Sequence, residues 1–104
     1  MEKKKEQPQI DLEAKTKIIR LVQAILPEAK IYLFGSYGRG TQNRYSDIDI
    51  AIDVGKVAPD GSVDEIKEVV GAAYIYPKVD VVDYRLADES FKEEIDKDMV
   101  IWKN

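Results

Sequence analysis

Two aspartates, Asp47 and Asp49, stand two residues apart in the run Asp47-Ile48-Asp49-Ile50-Ala51-Ile52-Asp53. A strand sends successive side chains to opposite faces. Asp47 and Asp49 then share one face, and Ile48, Ile50 and Ile52 share the other, which reads as core. Neighbouring carboxylates repel each other, and a divalent cation relieves that repulsion. Mg²⁺ favours carboxylate oxygens combined with substrate phosphates. The same alternation also fits a half-buried edge strand with an acidic, solvated face. Upstream, the apolar residues Ile31 to Phe34 run directly into Gly35 and Ser36. Glycine there permits a sharp turn or a close approach of backbone to another group. Ser36 can cap the following turn or donate to a phosphate, and N–H groups at a helix start favour anions. A plain turn is the alternative for Gly-Ser taken alone.

A third carboxylate stands in Val79-Asp80-Val81-Val82-Asp83. Asp80 projects opposite to both flanking valines. If this strand lies beside the one carrying Asp47, the three carboxylates can hold two divalent ions. A water-facing edge position is the alternative for Asp80. Asp83 has the opposite parity, and Asp53 lies further along its strand, so both read as surface or supporting residues.

The pattern Gly35-Ser36-Tyr37-Gly38-Arg39-Gly40, followed by Ser46-Asp47-Ile48-Asp49, resembles the minimal nucleotidyltransferase (MNT) family of the DNA polymerase β-like nucleotidyltransferase superfamily. The resemblance covers roughly Ile31 to Tyr84. It implies a polymerase β-like core in which Asp47, Asp49 and Asp80 are catalytic and bind metal, with two Mg²⁺ ions, or Mn²⁺ in their place. Gly35 and Ser36 would cradle the triphosphate of ATP or another nucleoside triphosphate, and Arg39 would steer phosphate charge. Asp80 would draw the proton from the attacking hydroxyl. Relatives of this size are paired with a helical HEPN-type toxin and act as its antitoxin, some by attaching AMP to a toxin tyrosine. The resemblance therefore implies AMP transfer to a hydroxyl of such a partner. A non-catalytic antitoxin that neutralises by contact is one alternative. A small-molecule nucleotidyltransferase working as a homo-oligomer is another.

These residues need a scaffold. Ile18, Leu21, Val22 and Ile25 recur at helical spacing after Asp11, a candidate cap, and Pro27 stops that helix. Strands follow at Ile31 to Phe34 and Asp47 to Val54, with a short helix near Tyr37 to Gly40 between them. Ser62 and Glu65 fit a capping box opening a helix that buries Val63, Ile66, Val69 and Val70. The third strand spans Lys78 to Tyr84, a helix spans Asp88 to Lys97, and Met99 to Trp102 form a closing strand. The fold class is α/β (α+β): a small mixed sheet flanked by helices. Residues 1–10 read as a flexible segment and 11–104 as one domain, with too little chain left over to build an acceptor pocket.

Composition narrows the chemistry. The 104 residues carry no histidine and no cysteine, so thiol nucleophiles, zinc–thiolate sites and imidazole acid–base catalysis are excluded from this chain's own side chains. A net charge of −4 argues against a protein built to grip nucleic acid. The longest apolar run, Val69 to Tyr76, is too short to span a bilayer. The expectation is a cytoplasmic protein whose ligand is a nucleotide.

Overall fold

The computed structural model of the protein describes residues 10–104. The segment 1–10, expected to be flexible, lies outside the described residues except for Ile10, which packs against the core.

The helical spacing of Ile18 and Val22 produces α1 (Leu12–Ile25), which fully buries both. Asp11 holds the cap position without a side-chain cap bond. After Pro27 the chain enters β1 (Lys30–Phe34), whose last four residues are all buried. A five-residue helix, α2 (Gly35–Arg39), leads out of it. Then come β2 (Ile48–Asp53), α3 (Ser62–Ala72), β3 (Val79–Asp83), a 3₁₀ turn at Tyr84–Leu86, α4 (Glu89–Asp98) and β4 (Val100–Lys103).

The sheet order is β3-β2-β1-β4. β1 is antiparallel to both β2 and β4, while β2 and β3 run parallel. Parallel neighbours need a crossover, and α3 supplies it. One sheet face carries Ile31, Leu33, Ile48, Ile50, Ile52 and Val81, which pack with Ile18, Val22, Ile66 and Val70 of α1 and α3. Each fully buried isoleucine contributes on the order of 1.5–3 kcal/mol of transfer free energy. The other face holds a smaller cluster of Tyr32, Phe34, Ala51 and Ile95 from α4. Phe34 and Phe91 meet edge to face at 5.8 Å there.

Two local expectations change. Ser62 is the first helical residue of α3, not its cap. Gly61, at φ 81°, occupies the cap, and the Ser62 hydroxyl donates back to the Pro59 carbonyl at 2.6 Å. Ser36 likewise lies inside α2, whose cap position belongs to Phe34. No helix among the described residues is long and apolar enough to cross a membrane.

Candidate active site

Antiparallel pairing places Phe34 opposite Asp49, so the chain leaving β1 at Gly35 passes directly over the start of β2. Gly35 has φ 70°, and a Cβ there would collide with the Asp49 carboxylate. Glycine is thus required twice at this position, for its backbone angle and for the space Asp49 occupies. Parallel pairing on the other side sets Asp80 opposite Asp49. Directly paired residues point to one face. The alternation in β2 and β3 therefore brings two carboxylates together, with Asp47 just upstream.

The electrostatics record this crowding. Burial pushes the Asp49 carboxyl up to about 6 from 3.8; the charges of Asp80 and then Asp47 add to the rise, and Arg39 opposes it. Asp80 itself is exposed on edge strand β3. Among the described residues no three carboxylates form a closed ligand set for a metal. The donors suit a hard divalent cation nonetheless: all are carboxylate oxygens, and a cation would offset the burial that chiefly raises Asp49 as well as the smaller repulsion from Asp80 and Asp47.

Arg39, the last residue of α2, pairs with the end of α4. Its Nη1 donates to Asp98 Oδ2 at 2.9 Å, with half of the side chain still exposed. Gly38 fits the same contact, since a Cβ there would stand 2.6 Å from the Asp98 carbonyl oxygen. The end of α4 therefore braces α2. Asp98 was not singled out by sequence reasoning, because its partner lies 59 residues away and no local pattern marks it.

Of the two roles expected for Asp53 and Asp83, surface or supporting, the structure shows the supporting one. Neither is a surface residue: they are 5% and 7% exposed. Asp53 accepts from Arg85 Nε at 2.7 Å and from the Gly55 amide at 2.8 Å. Burial pushes its carboxyl up, but the Arg85 hydrogen bond and the Gly55 amide outweigh that and hold it below the ordinary value. Asp83 accepts from the Ala58 amide at 2.9 Å and the Arg85 amide at 3.0 Å, tying down the loop after β2 and the 3₁₀ turn. A cavity of about 400 Å³ lies beside Asp53 and Arg85, at the end of the sheet away from Gly35.

Comparison with known proteins places the domain. A family model described as a nucleotidyltransferase domain matches residues 15–102. The chain belongs to the nucleotidyltransferase domain family. The protein adenylyltransferase MntA of Shewanella oneidensis is 38% identical over 80 residues, which cover 76% of this chain and 57% of that protein. The chain thus spans little more than half the length of that relative. A chain of a toxin–antitoxin complex crystallised with AMP-PNP superposes with a TM-score of 0.71 at 34% identity, over 85% of this chain and 71% of that one. A chain from the complex of tri-AMPylated Shewanella oneidensis HEPN toxin with MNT antitoxin gives a TM-score of 0.67 at 27% identity, covering 86% and 69%. The nucleotidyltransferase fold expected from the Gly-Ser and Asp-x-Asp pattern is the fold observed.

Proposed function

We propose that this chain is a metal-dependent nucleotidyltransferase that moves AMP from ATP to a hydroxyl of a HEPN-type toxin, and that it acts in the cytoplasm as that toxin's antitoxin. The observation that carries the proposal is the pairing of Asp49 with Asp80 on one sheet face, directly beneath a glycine that leaves room for the Asp49 carboxylate. The similarity to MntA and to chains of toxin–antitoxin complexes supports the choice of acceptor.

In such a transfer the acceptor oxygen attacks the α-phosphorus, the bond to pyrophosphate breaks, and the hydroxyl proton must leave. Asp80, exposed on the edge strand, is placed to take that proton. Asp47, Asp49 and Asp80 would hold Mg²⁺ or Mn²⁺, which when bound supplies positive charge to the oxygens in flight. Gly35 lets the backbone approach the triphosphate, and Ser36 donates a hydrogen bond to it. Arg39 offers its exposed half to phosphate while Asp98 holds the other side.

The test is incubation of the chain with ATP, Mg²⁺ and the toxin, followed by intact-mass analysis of both proteins. The toxin gains one or more AMP units with the wild type and none with Asp47→Asn or Asp49→Asn. If those variants neutralise the toxin as well as the wild type and its mass never changes, the chain is a binding antitoxin instead.

A further inference from the structure

The chain has 6 tyrosines. Tyr32, Tyr37 and Tyr84 are buried or half-buried, as is usual for a ring with so much apolar area. Tyr45, Tyr74 and Tyr76 are 84%, 95% and 83% exposed. All three lie in the two connections that feed β2 and β3. Those strands run parallel from the same end. The Ile48 amide donates to the Lys78 carbonyl at 2.8 Å, which holds the two strand entries side by side. Tyr45 is two residues ahead of Asp47, a span of at most about 7 Å. Tyr76 is two residues ahead of Lys78, whose carbonyl accepts from the Ile48 amide. The three exposed tyrosines therefore lie in the connections at the carboxylate end of the sheet.

The backbone at Tyr45 is fixed. Its amide donates to Asn43 Oδ1 at 2.8 Å, the Asn43 amide donates to Ser46 Oγ at 3.0 Å, and the Ser46 amide donates to the Asn43 carbonyl at 3.0 Å. This closed turn presents the Tyr45 ring to solvent immediately before the first carboxylate.

We propose that the chain modifies itself, with Tyr45 as the principal acceptor of a nucleoside monophosphate and Tyr76 and Tyr74 as secondary ones. The proposal rests on the transfer activity inferred above. The Tyr45 phenolic oxygen forms a bond to the α-phosphorus of a nucleoside triphosphate. The bond from that phosphorus to the leaving oxygen breaks, and pyrophosphate departs. The phenolic proton passes to the Asp80 carboxylate and then to water. The product is a tyrosine phosphodiester whose added negative charge sits beside Asp47, where it would oppose the entry of a further triphosphate.

The test uses the full chain with ATP and Mg²⁺, with and without the toxin, read by intact mass and by peptide mapping. The wild type alone gains nucleotide mass, mapped chiefly to Tyr45. Tyr45→Phe loses most of it, and the triple Tyr45→Phe, Tyr74→Phe, Tyr76→Phe variant loses all of it while still modifying the toxin. Asp49→Asn is unmodified. A wild-type chain that modifies the toxin and never itself overturns this inference and leaves the proposed function standing. Label on serine or threonine, or label that persists in Asp49→Asn, also overturns it. Absence of transfer to either protein overturns both.

Discussion

Replacing Asp49 with asparagine should stabilise the metal-free protein. The folded state raises the Asp49 carboxyl from 3.8 to about 6, chiefly through burial and then through the charges of Asp80 and Asp47. Two units correspond to about 3 kcal/mol. Asp49 keeps part of its surface in water, where screening removes roughly half of such an interaction, leaving about 1–2 kcal/mol. Below the unfolded value the carboxyl is protonated in both states and makes no difference. As pH rises from about 4 to about 6, the unfolded chain ionises while the folded one holds its proton, so wild-type stability falls. Above about 6 the full penalty applies. Asp49→Asn removes an ionisation that the fold disfavours, and the variant should melt roughly 5 °C or more above the wild type at pH 7.5. The difference should vanish near pH 4. Thermal denaturation in excess chelator at both pH values measures it. A variant that melts lower than the wild type at pH 7.5, or one equally shifted at both, would refute the reasoning. Adding Mg²⁺ with ATP should reverse the order, since the wild type alone keeps the carboxylate that the ligand needs.

Gly35→Ala should lose both transfer activity and stability: the positive φ costs about 1–2 kcal/mol, and the new methyl displaces Asp49. Melting temperature and toxin labelling read the two effects separately. Asp83→Asn should cost about 1–2 kcal/mol in denaturant titration, because one neutral oxygen replaces a carboxylate that accepts from two amides. Ser36→Ala should raise the KM for ATP several-fold with melting temperature unchanged, because the Ser36 hydroxyl has no hydrogen-bond partner among the described residues.

What the sequence made legible was whatever local periodicity encodes. The parity of Asp49 and Asp80 followed from strand alternation, and the α1 stripe from helical spacing; Asp47, expected within the second strand, lies one residue ahead of β2, which begins at Ile48. The position of Gly35 followed from an apolar run that ends in glycine. What stayed hidden depends on partners far along the chain. Asp53 and Asp83 read as surface or supporting residues, from distance along the strand and from parity; that they are buried supports depends on Arg85 and the Ala58 amide, and neither contact has a sequence signature. The Arg39–Asp98 brace is hidden for the same reason. Ser62 carried a capping signature, but Gly61 before it adopts the left-handed backbone and takes the cap. Even the meeting of Asp49 with Asp80 required knowing that β3 adds next to β2 and not next to β1.

That β2–β3 pairing has a kinetic consequence. β1 and β2 can zip together across a short connection, whereas Asp80 reaches Asp49 only after about thirty residues have folded back through α3. Contacts at long sequence separation pay their loop-closure cost before they return any energy. The chain should therefore gain its hairpin and helices early and bring the two carboxylates together late, so that their repulsion is met near the end of folding. A bound metal–nucleotide complex would then act on the completed state alone, slowing unfolding while leaving the folding rate almost untouched.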